Sequence, residues 1–157
     1  TNTMHIVAGD VAAAASPVPL INIIDETART LAAAGHRRPL LLATRYTMEH
    51  GFYTQRMRDS VYGLDPMVPD EAGRTTVHAI IFEELCAGKV LDSSREILLA
   101  IIEKAAALGA DSVILGCTEI CLILDPQALP LPGFDSTAIH ARAAVDFALG
   151  NGTVTLR

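Results

Sequence analysis

Cysteine, aromatic residues and long apolar runs are all scarce in this chain. It has three cysteines and no tryptophan, and aromatic residues make up 4% of its 157 residues. An odd, small number of thiols excludes a disulfide framework, so we expect a reducing, cytoplasmic setting. No apolar run approaches the roughly 20 residues that cross a bilayer, so we expect no membrane anchor.

Basic residues are also in deficit. Twelve Lys and Arg stand against 18 Asp and Glu, which gives a formal net charge of −6. This balance argues against nucleic acid and anionic membranes as partners, whereas a local group of N–H donors still allows an acidic metabolite to bind. None of the cysteines forms a Cys-x-x-Cys pair and the histidines lack ligands at metal-site spacing, so we expect no metal.

Apolar segments of strand length alternate with segments of helical period. This alternation predicts the α/β class with a parallel sheet, and the chain is long enough for one domain or two small lobes. The predicted strands are 20–24, 39–43, 60–62 and 112–115. The predicted helices are 4–15, 26–34, 47–58, 70–85, one from a capping box at 93–96 to 108, 118–124, and a last helix capped by Ser136 and ending at 149.

One segment, 109–120, places a thiol where a predicted strand turns into a helix. The strand ends in Gly116-Cys117-Thr118-Glu119. Backbone N–H groups at a helix start stabilise a thiolate and bind carboxylates, so we expect a lowered pKa for Cys117. This arrangement indicates acid/base or nucleophilic chemistry on a small acidic molecule.

Two further motifs precede that segment in the chain. The sequence starts with Thr-Asn-Thr-Met-His, and 43–48 reads Ala-Thr-Arg-Tyr-Thr-Met. With Gly-Cys-Thr-Glu, these motifs resemble the aspartate/glutamate racemase family in order and spacing over nearly the whole chain. The resemblance implies two pseudo-symmetric α/β lobes that face each other across a cleft. Residues 1–23 and 134–157 are then part of the first lobe, whose other half is expected before Thr1, and 24–133 form the second.

The resemblance also implies a reaction and a set of site residues. It predicts racemisation of an amino acid, aspartate, glutamate or a broader set, without a cofactor, by one acid/base group on each face of Cα. Cys117 matches one group of the family pair, and Thr1 stands where the family usually has the other cysteine. The remaining candidates are Asn2, Thr3, Thr44, Thr118 and the N–H of Glu119 for the substrate carboxylate, His5 to orient Thr1, and Arg45 for the distal group.

Other interpretations stay open. Asn2 and Thr118 also suit plain helix caps, and Cys86 and Cys121 suit apolar packing. Because a hydroxyl is a much weaker acid than a thiol, Thr1 leaves room for a non-catalytic small-molecule-binding protein. Another enzyme of the same superfamily, such as a hydantoin racemase, is a second alternative. The side-chain preference and the oligomeric state, a homodimer among the possibilities, are not fixed by the sequence.

Overall fold

A parallel sheet forms the centre of the molecule. The computed structural model describes residues 1–151, and in this part of the chain the strands are β1 (Pro39–Leu42), β2 (Ser112–Leu115) and β3 (Gly133–Asp135), in the order β1-β2-β3. Pro39 pairs with Ser112, and Val113 pairs with Gly133, both in parallel register. Met67 adds a single parallel bridge to Leu40 at the other edge of β1. The predicted α/β class with a parallel sheet is confirmed.

Helices surround this sheet. They are α1 (Ala8–Ala15), α2 (Ile23–Ala33), α3 (Arg45–Glu49), α4 (Phe52–Arg58), α5 (Glu71–Ala79), α6 (Asp92–Ala107) and α7 (Ser136–Ala148). Short 3-10 helices cover Thr3–Val7, Leu85–Ala87 and Thr118–Leu122, and a π-helical turn, Ile80–Glu84, follows α5. Helix α2 packs against both α7 and α4. None of the described helices is long and apolar enough to cross a bilayer.

The two longer strands are buried on both faces. Every residue of β1 and β2 is buried, and Leu40, Leu41 and Leu42 have no exposed surface. Helices on both sides of a parallel sheet produce this continuous apolar pattern. Burial of each leucine side chain contributes about 1.5–3 kcal/mol, so the loops that follow these strands start from a rigid support.

The strand predicted at 20–24 is wrong. Asn22 caps α2 instead, because its Oδ1 accepts a hydrogen bond from the N–H of Ile24 at 2.9 Å. The apolar residues Ile23 and Ile24 are 1% exposed in the first helical turn. A short apolar run fits a strand or a buried helix start equally well, and the cap decides for the helix here.

Several element boundaries also differ. The helix predicted at 47–58 is two helices, because Gly51 has a left-handed φ of 75° between them. The predicted strand 60–62 is a turn. The cap of α7 is Asp135 rather than Ser136, since the Asp135 carboxylate accepts from two backbone N–H groups. Helix α6 starts at Asp92 after Leu91, without the predicted capping box.

Two cysteines lie closer to solvent than the apolar pattern predicted. Cys86 is exposed and Cys121 is half-buried, because the π-helical and 3-10 turns around them alter the helical spacing on which the prediction relied. The division into two lobes stays a prediction, and its residues 152–157 lie outside the described part of the chain.

Candidate functional site

The carboxyl ends of β1 and β2 lie side by side. The N–H of Gly116 donates to the carbonyl of Leu42 at 2.7 Å and so extends the pairing beyond β2. A Cβ on Gly116 would lie 2.8 Å from Leu41 Cδ1 and 3.1 Å from the backbone oxygen of Leu42, so the close approach favours glycine. The loops that carry Thr44 and Cys117 therefore begin next to each other.

Three threonine hydroxyls meet at this edge of the sheet. Thr3 Oγ1 lies 2.9 Å from Thr47 Oγ1 and 3.5 Å from Thr44 Oγ1, and Thr44 and Thr47 are 3.2 Å apart. We call these residues the threonine cluster. Because each hydroxyl can rotate to donate or accept, the cluster can turn its protons toward an anion. The N-cap residue Thr44 makes no side-chain cap bond to α3, so its hydroxyl belongs to this cluster.

Asn2 ties the first residues of the chain to the end of β2. Its Nδ2 donates to Ser136 Oγ at 3.1 Å, and Ser136 Oγ donates to the carbonyl of Leu115 at 2.9 Å. Asn2 is 5% exposed, and its Oδ1 is buried with no hydrogen-bond partner among residues 1–151. A buried acceptor without a donor is unfavourable, which makes Asn2 Oδ1 a candidate acceptor for a ligand N–H or O–H group.

Cys117 rests as a thiol, which corrects the expected lowering of its pKa. Its Sγ donates to Glu119 Oε2 at 2.9 Å. Burial, and then the hydrogen bond to this carboxylate, raise the pKa of Cys117 to about 12, although the N–H of Glu119 acts in the opposite direction. The following 3-10 helix has only five residues, so few aligned N–H groups are available to outweigh burial.

Glu119 enters the site through its carboxylate as well as its N–H. The same Oε2 accepts from Thr118 Oγ1 at 2.7 Å. The two hydrogen bonds, from Cys117 first and then Thr118, lower the pKa of Glu119, so it is an anion at neutral pH. At rest this carboxylate stabilises the thiol form of Cys117, and it is the group to which the thiol proton is hydrogen-bonded.

Thr1 is exposed, and His5 contacts its backbone rather than its hydroxyl. His5 Nδ1 lies 3.0 Å from the Thr1 carbonyl oxygen, and His5 Nε2 lies 3.1 Å from the backbone N of Ile23. Both ring nitrogens are therefore engaged by the main chain. The orienting role of His5 stays a prediction, and these contacts provide no path for direct proton transfer between its ring and the Thr1 hydroxyl.

Arg45 is directed to a neighbouring groove. Its guanidinium donates to Thr75 Oγ1 at 2.9 Å, and its backbone N–H donates to His78 Nδ1 at 3.3 Å. The guanidinium lines a cavity of about 520 Å³ together with Glu49 and Arg74. No hydrogen bond of the described residues joins this guanidinium to the threonine cluster or to Cys117.

Sequence reasoning missed three side chains of this region. Thr47 completes the threonine cluster, Ser136 bridges Asn2 to β2, and His78 accepts from the first N–H of α3. The spacing of Thr44 and Thr47, one helical turn, was a usable signal for the first. The bridging role of Ser136 depends on the position of β3, a strand that the sequence pattern did not predict. No local sequence pattern indicates that His78 contacts α3. Residues 1–151 contain no group of three or more His, Cys, Asp or Glu placed to hold a metal ion.

Fold and site together define an α/β enzyme-like architecture with a cysteine at a strand end. The sequence model of the Asp/Glu/hydantoin racemase family matches residues 1–144. The chain therefore belongs to the Asp/Glu/hydantoin racemase family.

Solved structures support this membership. A candidate Asp/Glu racemase from Yersinia pestis is 46% identical with a TM-score of 0.89, and an aspartate racemase homologue from Pyrococcus horikoshii OT3 is 35% identical with a TM-score of 0.85. Each match covers 95% of this chain and 64% of the other. The aspartate racemase of Picrophilus torridus is 27% identical with a TM-score of 0.65, over 95% of this chain and 59% of its own.

A relative of unknown role is similar over a shorter stretch. It is an uncharacterized protein in the pnlA 3′ region of Pectobacterium carotovorum subsp. carotovorum, 30% identical over 115 residues, which are 72% of this chain and 73% of that protein. This chain thus spans less than two thirds of the solved racemase homologues and about three quarters of this relative.

Proposed function

We propose that the protein containing this chain racemises an amino acid at Cα without a cofactor. The observation that carries the proposal is the Cys117–Glu119 hydrogen bond of 2.9 Å, which lies at the strand edge that the threonine cluster and Asn2 also occupy. A proton acceptor, a thiol and anion-binding hydroxyls on one rigid edge are the groups that Cα proton transfer requires.

The first proton transfer uses Cys117 and Glu119. The thiol proton passes to Glu119 Oε2, which leaves a thiolate and a carboxylic acid. The thiolate then abstracts the Cα proton and becomes a thiol again, and the electron pair stays on the substrate. Because the pKa of Cys117 is about 12 and the pKa of Glu119 is lowered, this transfer is uphill in the substrate-free protein, and substrate binding has to reduce the difference between the two pKa values.

Thr1 serves the opposite face of Cα. Its hydroxyl donates a proton to the carbanion, which forms the new C–H bond and leaves an alkoxide. The proton held by Glu119 returns to Thr1 through solvent, so the protein ends as it began. Hydroxyls of Thr3 and Thr44 donate to the substrate carboxylate, and the hydroxyl of Thr118 joins them when it turns away from Glu119. The orphan Asn2 Oδ1 accepts from the substrate amino group.

The names of the solved relatives point to acidic amino acids as the first substrates to test. Arg45, the distal contact that the resemblance suggested, is bonded to Thr75 and lies away from the cluster. We therefore propose aspartate and glutamate as the first substrates to test, and amino acids with other side chains as the next. The cytoplasmic setting and a homodimer stay predictions.

Solvent exchange tests the proposal. The protein containing this chain is incubated with single enantiomers of aspartate and of glutamate in D2O, and both Cα deuteration and inversion are followed. We expect both in the unmodified protein and neither in Cys117→Ala. Cys121→Ala, one helical turn away and half-buried, is the matched control and should retain exchange.

The raised pKa of Cys117 favours a second candidate, a non-catalytic binding protein for small carboxylic acids. Binding of aspartate or glutamate without any Cα deuteration would support this candidate and contradict the first. Exchange and inversion of a hydantoin, but of neither amino acid, would assign the chain to the hydantoin branch of the family.

A further inference from the structure

The ring of His5 is held between two backbone groups that differ in kind. The Thr1 carbonyl is only an acceptor, and it lies 3.0 Å from Nδ1. The Ile23 amide is only a donor, and it lies 3.1 Å from Nε2. His5 must therefore carry its single ring proton on Nδ1 and accept at Nε2, as a neutral imidazole.

The backbone N–H that His5 Nε2 contacts belongs to a rigid part of the structure. Ile23 is the first residue of α2, is 1% exposed, and follows the N-cap Asn22. Its N–H is one of the helix-start donors that no helical carbonyl can satisfy, and His5 satisfies it. The fixed end of α2 is thus joined through one imidazole to the peptide group of Thr1.

We propose that His5 is a positioning residue for Thr1, which it holds through the Thr1 carbonyl and not through the hydroxyl. This inference rests on the proposed function, in which Thr1 donates a proton to the substrate. A hydroxyl on an exposed residue has no fixed direction of its own, and the bond from His5 to the same peptide limits its position relative to the sheet.

The surroundings of the ring agree with a neutral state. His140 on α7 lies edge-on to it, with the ring centroids 5.6 Å apart, and donates from Nε2 to the Ile21 carbonyl. Arg56 on α4 is also nearby and forms two hydrogen bonds to Asp25 of α2. Burial is the largest cause that lowers the pKa of His5, and His140 and Arg56 act in the same direction, whereas the hydrogen bond to the Thr1 carbonyl acts against them.

The tautomer is measured directly on the protein containing this chain. Nitrogen-15 NMR of the ring distinguishes a proton on Nδ1 from one on Nε2 and both from the doubly protonated ring. We expect the neutral Nδ1–H form at neutral pH. A neutral Nε2–H ring or a charged ring would overturn the proposal, whether or not the protein is a racemase.

Two variants separate the two halves of the link. In His5→Asn the amide nitrogen replaces Nδ1 and keeps the bond to Thr1, and in His5→Gln the amide oxygen replaces Nε2 and keeps the bond to Ile23. We expect a lower melting temperature in His5→Asn and a changed carbon-13 shift of the Thr1 carbonyl in His5→Gln. A Thr1 carbonyl shift that is the same in His5→Gln and the unmodified protein overturns the proposal.

The same variants have a kinetic readout. Displacement of a reacting group by about 1 Å lowers rates about a hundredfold, so inversion in His5→Gln should fall by about that factor relative to Cα exchange on the Cys117 side. His5→Asn should keep the ratio of inversion to exchange. Equal loss of both rates in His5→Gln would assign His5 a purely structural role. Absence of exchange in the unmodified protein would contradict the proposed function, while the NMR results still decide the His5 link.

Discussion

Replacement of Glu119 by glutamine separates the thiol from its proton acceptor. The substitution keeps the size of the side chain but removes the anion that lies 2.9 Å from Cys117 Sγ. A hydrogen bond to a charged group contributes about 1.5–3 kcal/mol, and 1.36 kcal/mol corresponds to one pH unit. Because Glu119 is partly exposed, solvent screening favours the lower end. The pKa of Cys117 should fall from about 12 by about one pH unit.

Catalysis should become slower even though the thiolate of Cys117 becomes easier to form. Glutamine cannot take the thiol proton, so Cα exchange at neutral pH should slow by about 10²-fold, the lower range for loss of a general base. Exchange should recover as the pH rises and the thiolate forms by itself. More thiolate with less activity is a combination that simple misfolding does not produce.

The assay follows alkylation of Cys117 by iodoacetamide across the alkaline range, with the labelled peptide quantified by mass spectrometry. Glu103→Gln, which removes an exposed carboxylate from α6, serves as the control and should leave the Cys117 profile unchanged. An unchanged or higher pKa of Cys117 in Glu119→Gln, or unaltered exchange at neutral pH, would refute the reasoning.

Other predictions concern stability. Gly116→Ala should lower stability by about 1–3 kcal/mol in a denaturant titration, since the new methyl group would lie 2.8 Å from Leu41 Cδ1. Gly9→Ala in α1, with open space around it, should be neutral or stabilising, and equal losses in both would contradict the packing argument. The pKa values of Cys117 and Cys121 are raised from 9.0 to about 12, so the folded state keeps protons that the unfolded chain loses. Stability should therefore fall as the pH rises from 9 to 12, and less steeply when both are replaced by serine.

Continuous apolar runs made two strands predictable. β1 and β2 are buried on both faces, and Gly116 marks the end of the pairing. β3 was not predicted, because Gly133-Phe134-Asp135 is three residues long, half-exposed, and shaped by its neighbour β2. The pair Ile23-Ile24 was assigned to a strand, since a short apolar run carries no period of its own.

The chemical properties of the candidate site are likewise only partly predictable from the sequence. The place of Cys117 follows from a local motif, but its pKa depends on burial and on where the Glu119 carboxylate points, and neither is a local property. The hydrogen bond from Asn2 to Ser136 joins residues 134 positions apart, and a short sequence motif cannot predict a contact between residues so far apart in the chain.

That separation has a consequence for the order in which the protein assembles. The Asn2–Ser136 bond closes a loop of almost the whole described chain, and contacts between such distant residues form late because closing the loop restricts so much chain. During synthesis Asn2 is made long before Ser136 exists. The segment that carries Asn2 must therefore wait, because Asn2 Nδ2 has no Ser136 hydroxyl to donate to until residue 136 has been made. A polypeptide stalled before residue 136 lacks the hydroxyl to which Asn2 Nδ2 donates, so this link between the two ends of the described chain cannot form.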